Sequence, residues 1–206
     1  MQTALVRVFK PVLEKTKAGR LSQLAMLPVP PRSVLFLGDS ITEQGMWHEW
    51  FPDLPAVNRG VGSDTVGGVL ARVAGVMNEP VAISLLIGTN DLAGQGHSTK
   101  VADIAEQMRD LVRLIRREAP DAPLVINSVM PRTRSFAARI RDLNASYRKI
   151  AMEAGCAYLD LWPTLADGDR LRADFTADNL HLNGAGYAAW MGVLGPVVRA
   201  AISPTG

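Results

Sequence analysis

Short apolar runs alternate with longer amphipathic stretches along most of this 206-residue chain. Val34-Leu35-Phe36-Leu37 is uninterrupted and ends in Gly38. Ala56-Val57-Asn58 ends near Gly60, and Val81 to Ile87 runs into Gly88-Thr89-Asn90-Asp91. Leu124-Val125-Ile126 continues to Met130-Pro131, and Ala157-Tyr158-Leu159 leads to Asp160. Runs without polar alternation suit strands covered on both faces, as in a parallel sheet. Between them the apolar residues recur at three and four, the helical period. Val66, Val69, Leu70, Val73 and Val76 predict a helix over Thr65 to Val76, despite Gly67-Gly68. From Val101 to Arg117 the face is cleaner, with Ile104, Met108, Leu111 and Ile115 opposite Asp103, Arg109, Asp110 and Arg113. Phe136 to Ala154 shows the same pattern through Ile140, Leu143, Tyr147 and Ile150. Ala185 to Ile202 closes the chain with Tyr187, Trp190, Met191 and Leu194, and Gly192, Gly195 and Pro196 are expected to shorten or kink it.

Five strand candidates alternating with helices predict an α/β protein, an open sheet with helices on both sides. The ligand site of such a sheet lies beyond the C-terminal ends of its strands. The polar and glycine-rich turns Gly38-Asp39-Ser40, Arg59-Gly60 and Gly88-Thr89-Asn90-Asp91 fall there. Residues 1–31 differ in character. Val12, Leu13, Leu21 and Leu24 suggest a helix broken at Gly19, and Pro28-Val29-Pro30-Pro31 stops it. We read 1–31 as a partly helical lead-in packed on the rest or on a second subunit, and 32–206 as a single domain.

Composition narrows the function classes. A hydrophobic fraction of 48% supports a sizeable core, and 22 basic against 20 acidic residues leaves a net charge of +2. A charge-driven disordered chain and a strongly basic nucleic-acid binder are thereby excluded. The single cysteine, Cys156, rules out an internal disulfide and a multi-cysteine zinc site, and reads as a small core residue. The first apolar run, Ala4 to Phe9, is broken by Arg7, unlike a signal peptide. No run reaches the roughly 18 consecutive apolar residues of a membrane span. A cytoplasmic location without stable membrane insertion is expected.

Ser40 stands two residues past Gly38, where it either caps a helix or serves as a nucleophile. A phosphate loop is excluded, because neither G-x-x-x-x-G-K-[ST] nor G-x-G-x-x-G is present. A serine nucleophile needs a base, and the histidines are His48, His97 and His181. His181 has Asp178 three residues before it, and in a tight turn such a carboxylate can orient the imidazole. The alternative is a capping Asp178 beside a surface His181. His48, beside Trp47 and Trp50, reads as structural or at a rim, and His97 sits in a loop that can edge the pocket. Acyl transfer also needs donors for an oxyanion. The Gly60 N–H, the Asn90 side chain and the Ser40 N–H stand at neighbouring strand ends, although Asn90 can equally cap its own loop. Asp39, Asp64 and Asp91 are taken as loop-shaping. Arg132 and Arg134 are either contacts for an anionic substrate group or ordinary surface charges.

Four blocks together carry a resemblance. Gly38-Asp39-Ser40-Ile41-Thr42, Asn58-Arg59-Gly60 with Gly62-Ser63-Asp64-Thr65, Gly88-Thr89-Asn90-Asp91 and Asp178-Asn179-Leu180-His181-Leu182 stand in order. They resemble the GDSL, or SGNH, family of esterases and lipases, most of all its platelet-activating-factor acetylhydrolase-like branch. The resemblance implies a flavodoxin-like three-layer α/β/α sandwich of about five parallel strands. It implies Ser40 as nucleophile, His181 as base, Asp178 as its orienting acid, and Ser40, Gly60 and Asn90 as the oxyanion hole. No metal or organic cofactor is implied. It also nudges towards a homodimer. The G-x-S-x-G elbow is absent, since Thr42 follows Ile41. Short polar loops between the blocks favour small acyl groups, chiefly acetyl, on an alcohol or sugar. The alternatives are a lysophospholipase or thioesterase with Met46, Trp47 and Leu92 lining an acyl groove, and a non-catalytic carbohydrate-binding module.

Overall fold

The computed structural model describes residues 2–202, with side chains from Pro11 onward. Its elements in chain order are α1 (Gln2–Met26), β1 (Val34–Gly38), α2 (Ser40–Glu43), α3 (Trp47–Trp50), β2 (Ala56–Gly60) and α4 (Val66–Arg72). Then come β3 (Ala82–Leu86), α5 (Thr89–Leu92), α6 (Val101–Glu118), β4 (Leu124–Asn127), α7 (Ala137–Glu153) and β5 (Ala157–Leu159). The chain continues through α8 (Trp162–Leu165), the two-residue strands β6 (Ala166–Asp167) and β7 (Arg170–Leu171), and α9 (Gly184–Ile202). All five predicted strands form one parallel sheet in the order β2-β1-β3-β4-β5. That is the flavodoxin-like order. From β1 the chain steps to one side, then β3 returns past β1 to the other. The reversal opens a crevice at the C-terminal ends of β1 and β3.

Each central strand feeds two cores because successive side chains point to opposite faces. Leu35, Leu37, Ile83, Leu85 and Ile126 meet α4, α6 and α7 through Val69, Met108, Leu111, Ile115 and Leu143. Val34, Phe36, Leu86 and Val125 meet Trp47, Phe51, Tyr187, Trp190 and Leu194 on the other side. The aromatic pile there fixes the segment after β1. Trp47 stacks on Phe36 with centroids 4.0 Å apart and meets Trp190 edge-on at 5.2 Å. Trp47 Nε1 donates to Thr42 O at 2.8 Å, and Tyr187 Oη donates to Ile41 O at 2.6 Å.

Three helices depart from expectation: the one predicted over Thr65 to Val76 is α-helical over Val66–Arg72 and tightens to a 3-10 turn over Val73–Val76. The lead-in is one continuous helix through Pro11 and Gly19, not a broken one. Gly19 has open space around it, so it costs only its propensity, about 1 kcal/mol against Ala. Contacts made by Lys17 and Arg20 with the body of the fold offset that cost. The last helix likewise runs unshortened across Gly192, Gly195 and Pro196. It is the one described helix with the length and apolarity of a membrane span. Its Tyr187, Trp190, Leu194 and Val198 are buried against the sheet, which accounts for the apolarity. Cys156 is half-buried rather than core, 3.3 Å from Arg116 Nη2, and burial pushes its thiol up.

Candidate active site

Ser40 opens α2 directly after the sheet. The turn requires glycine at 38, since a Cβ there would lie 2.3 Å from Leu86 O. Asp39 caps the short helix, its Oδ1 accepting from Ile41 N at 3.0 Å. Ser40 Oγ stands 2.9 Å from His181 Nε2. On the other side of the ring, His181 Nδ1 stands 2.7 Å from Asp178 Oδ2. Asp178 Oδ1 accepts from Leu180 N at 2.9 Å and His181 N at 2.8 Å, so the carboxylate is held by its own loop. Asn179 completes that turn at φ +62°. Burial raises the Asp178 carboxyl, but the bonds from the His181 ring and the two amides outweigh it and hold it at about 2. A carboxylate so held takes the Nδ1 proton as a hydrogen bond, which leaves Nε2 to accept from the Ser40 hydroxyl.

Asn90 lies on α5, beyond β3, and its Nδ2 donates to Asp64 O at 2.9 Å. One amide proton stays available to a ligand. The Ser40 N–H, at the start of its helix, has no acceptor among the described residues. The Gly60 N–H, expected as a donor, is instead bonded to Asn58 Oδ1 at 2.9 Å. Glycine is needed at 60 for close approach. A Cβ there would lie 2.1 Å from Glu43 N and 2.6 Å from Thr42 C. Ser63 is a candidate donor that the sequence analysis did not include. It stands at φ +59°, beside the peptide that receives Asn90, and its N–H has no acceptor among the described residues. Its position inside Gly62-Ser63-Asp64-Thr65 was a signal, but a positive φ at a serine leaves no mark in the sequence.

Three buried carboxylates underlie these loops. Asp91 accepts from Val66 N through both oxygens, and burial pushes it up to about 6. Asp39 is pushed up to about 7 by burial, with Asp64 and Asp91 adding to the rise. Asp64 pairs with Lys17 and Arg72 at 3.0 and 2.9 Å. Arg132, half-buried, donates to Thr89 O and Oγ1 at 3.3 and 3.2 Å and covers the Phe136 ring at 4.3 Å. Arg134, His48 and His97 are exposed. Trp47 and Leu92 are core residues and Met46 is exposed, so no groove forms from these three. A cavity of about 10 Å³ lies instead among Ile41, Thr89, Met130, Arg132 and Leu180. Ile41, Thr89 and Leu180 each adjoin one of Ser40, Asn90 and His181.

The sequence profile of the GDSL-like Lipase/Acylhydrolase family matches residues 36–189. The chain belongs to this family. As a GDSL-like acylhydrolase it is a carboxylic ester hydrolase of the serine-hydrolase type. Among curated relatives it is similar to platelet-activating factor acetylhydrolase IB subunit alpha2. The human protein is 29% identical over 168 residues, covering 75% of this chain and 71% of that one. The Gallus gallus protein is 30% identical over 175 residues with the same coverages. Among solved structures, a Bacteroides thetaiotaomicron GDSL-like lipase superposes with a TM-score of 0.78 at 21% identity, covering 90% of this chain and 98% of the other. An acetyl-xylooligosaccharide esterase from Geobacillus Stearmophilus gives 0.67 at 17% identity, with coverages of 84% and 96%. These structural likenesses show the fold of the acylhydrolase.

Proposed function

We propose that this acylhydrolase cleaves short-chain acyl esters, chiefly acetyl esters of an alcohol or sugar, through an acyl-enzyme on Ser40. The observation that carries the reading is the hydrogen-bonded line from Ser40 Oγ through His181 to Asp178, at 2.9 and 2.7 Å. Ser40 Oγ attacks the ester carbonyl carbon while His181 Nε2 takes the hydroxyl proton. Asp178 holds the ring and offsets the imidazolium charge. The carbonyl electron pair moves onto oxygen, where the N–H groups of Ser40 and Ser63 and the Asn90 amide receive it. Collapse expels the alcohol, which takes the proton from Nε2. Water then attacks the acyl-enzyme, gives its proton to Nε2, and releases the acid as Ser40 Oγ recovers that proton.

The short polar loops between the blocks, with no apolar segment inserted among them, support a small acyl group. The relatives named as an acetylhydrolase and an acetyl-xylooligosaccharide esterase point the same way. The test is a p-nitrophenyl ester series from acetate to octanoate with wild type and Ser40→Ala. Turnover that falls steeply beyond about four acyl carbons and vanishes in the variant is expected. Equal rates in wild type and variant would refute the nucleophile, and a flat series would refute the acyl preference.

A further inference from the structure

The loop from Val61 to Asp64 is held from an unexpected direction, by the N-terminal helix. Lys17 Nζ on α1 donates to Asp64 Oδ1 at 3.0 Å, and Arg72 Nε on α4 donates to Asp64 Oδ2 at 2.9 Å. The Asp64 side chain is 1% exposed, so its two cations are what let a carboxylate sit there. Arg20 Nε, also on α1, donates to Gly60 O at 3.2 Å, just before the loop. The Arg20 guanidinium lies 3.6 Å from Glu43 Oε1, and Glu43 Oε2 accepts from Gly62 N inside the loop. The loop is thus tied to α1 at its start, its middle and its end. It supplies the left-handed Ser63 with its free N–H, and the Asp64 carbonyl on which Asn90 rests. A non-glycine residue in that conformation persists only where its surroundings over-determine it. α1 lies wholly outside the family match at 36–189.

We propose that Lys17 and Arg20 are positioning residues for catalysis. By gripping Asp64, Glu43 and Gly60, they aim the Ser63 N–H and the Asn90 amide at the developing oxyanion. The inference rests on the acyl-transfer reading above. It assigns α1 to the working site through the contacts of Lys17 and Arg20 with the loop. Donors that act on charge developed only in the transition state affect kcat and leave KM alone. A helix that merely covered the surface would change stability and leave the kinetics intact.

The experiment compares full-length wild type, Ser40→Ala, Lys17→Met, Lys17→Arg and Arg20→Met on p-nitrophenyl acetate, with urea midpoints alongside. For Lys17→Met, kcat is expected to fall about 10- to 100-fold with KM within about twofold, less than the loss of a whole oxyanion donor. Lys17→Arg keeps the cation and is expected to recover most of the rate. Arg20→Met is expected to fall in kcat without a matching rise in KM. Folded Lys17→Met and Arg20→Met with wild-type kcat would overturn the inference. So would a loss that Lys17→Arg does not relieve and that follows the urea midpoint. Should Lys17→Met not fold, Arg20→Met decides on the same kcat criterion. Wild type no faster than Ser40→Ala sinks the acyl-transfer reading and this inference with it. A Ser40-dependent rate that the α1 variants leave untouched sinks this inference alone.

Discussion

Asp39 makes the folded protein prefer acid, and replacing it with asparagine exposes that cost. The side chain is 1% exposed, and burial moves its carboxyl from the ordinary 3.8 to about 7. A folded state with the higher pKa binds the proton more tightly than the unfolded chain. The Asp39 contribution to stability is therefore greatest below pH 4, falls as pH rises from about 4 to about 7, and stays low above that. At about 1.4 kcal/mol per tenfold change in affinity, the full difference is about 4 kcal/mol. Between pH 5 and pH 8.5, about 3 kcal/mol of it is lost. Asn in place of Asp39 keeps an Oδ1 acceptor for the Ile41 N–H and carries no titratable proton. Urea unfolding of wild type and Asp39→Asn at both pH values is the assay. The variant is expected to gain about 3 kcal/mol relative to wild type between the two pH values. Asp91, raised to about 6 by burial, slopes the same way and is present in both proteins. A wild-type-to-variant difference that is the same at both pH values would refute the argument, because Asp39 would then titrate alike in the folded and unfolded chains.

Three further substitutions test close packing, the open face of α1 and the cavity beside Ile41. Gly60→Ala is expected to cost more than about 2 kcal/mol in urea unfolding, because its Cβ would overlap the Glu43 backbone at 2.1 Å. Gly19→Ala, in open space on α1, should instead raise stability by up to about 1 kcal/mol. Leu180→Ala enlarges the cavity beside Ile41 and Thr89 and should raise the butyrate-to-acetate rate ratio on p-nitrophenyl esters. An unchanged ratio would place the acyl group elsewhere.

The continuously apolar runs were legible as strands because a strand buried on both faces has no polar positions to spare. All five join one sheet, and Val101–Glu118 and Ala137–Glu153 form where their apolar faces predict. The short hairpin of Ala166–Asp167 with Arg170–Leu171 was not legible, because two-residue strands carry no period. The continuity of α1 was missed for a different reason. Glycine and proline lower local helix propensity, and it is contacts of Lys17 and Arg20 with residues more than 20 positions away that make up the loss.

The apolar runs and their spacing were enough for the fold class, and the four blocks pointed to Ser40, Asn90, Asp178 and His181. Asp178 and His181 could be paired in advance because three residues and a turn bring them together without help from the rest of the chain. Which amides remain free is a different kind of fact. Gly60 loses its N–H to Asn58, and Ser63 keeps its own, in a loop contacted by Lys17, Arg20, Glu43 and Arg72. Those partners come from four separate segments. Only the tertiary structure decides such a competition for donors, because each bond depends on distances that no local pattern encodes.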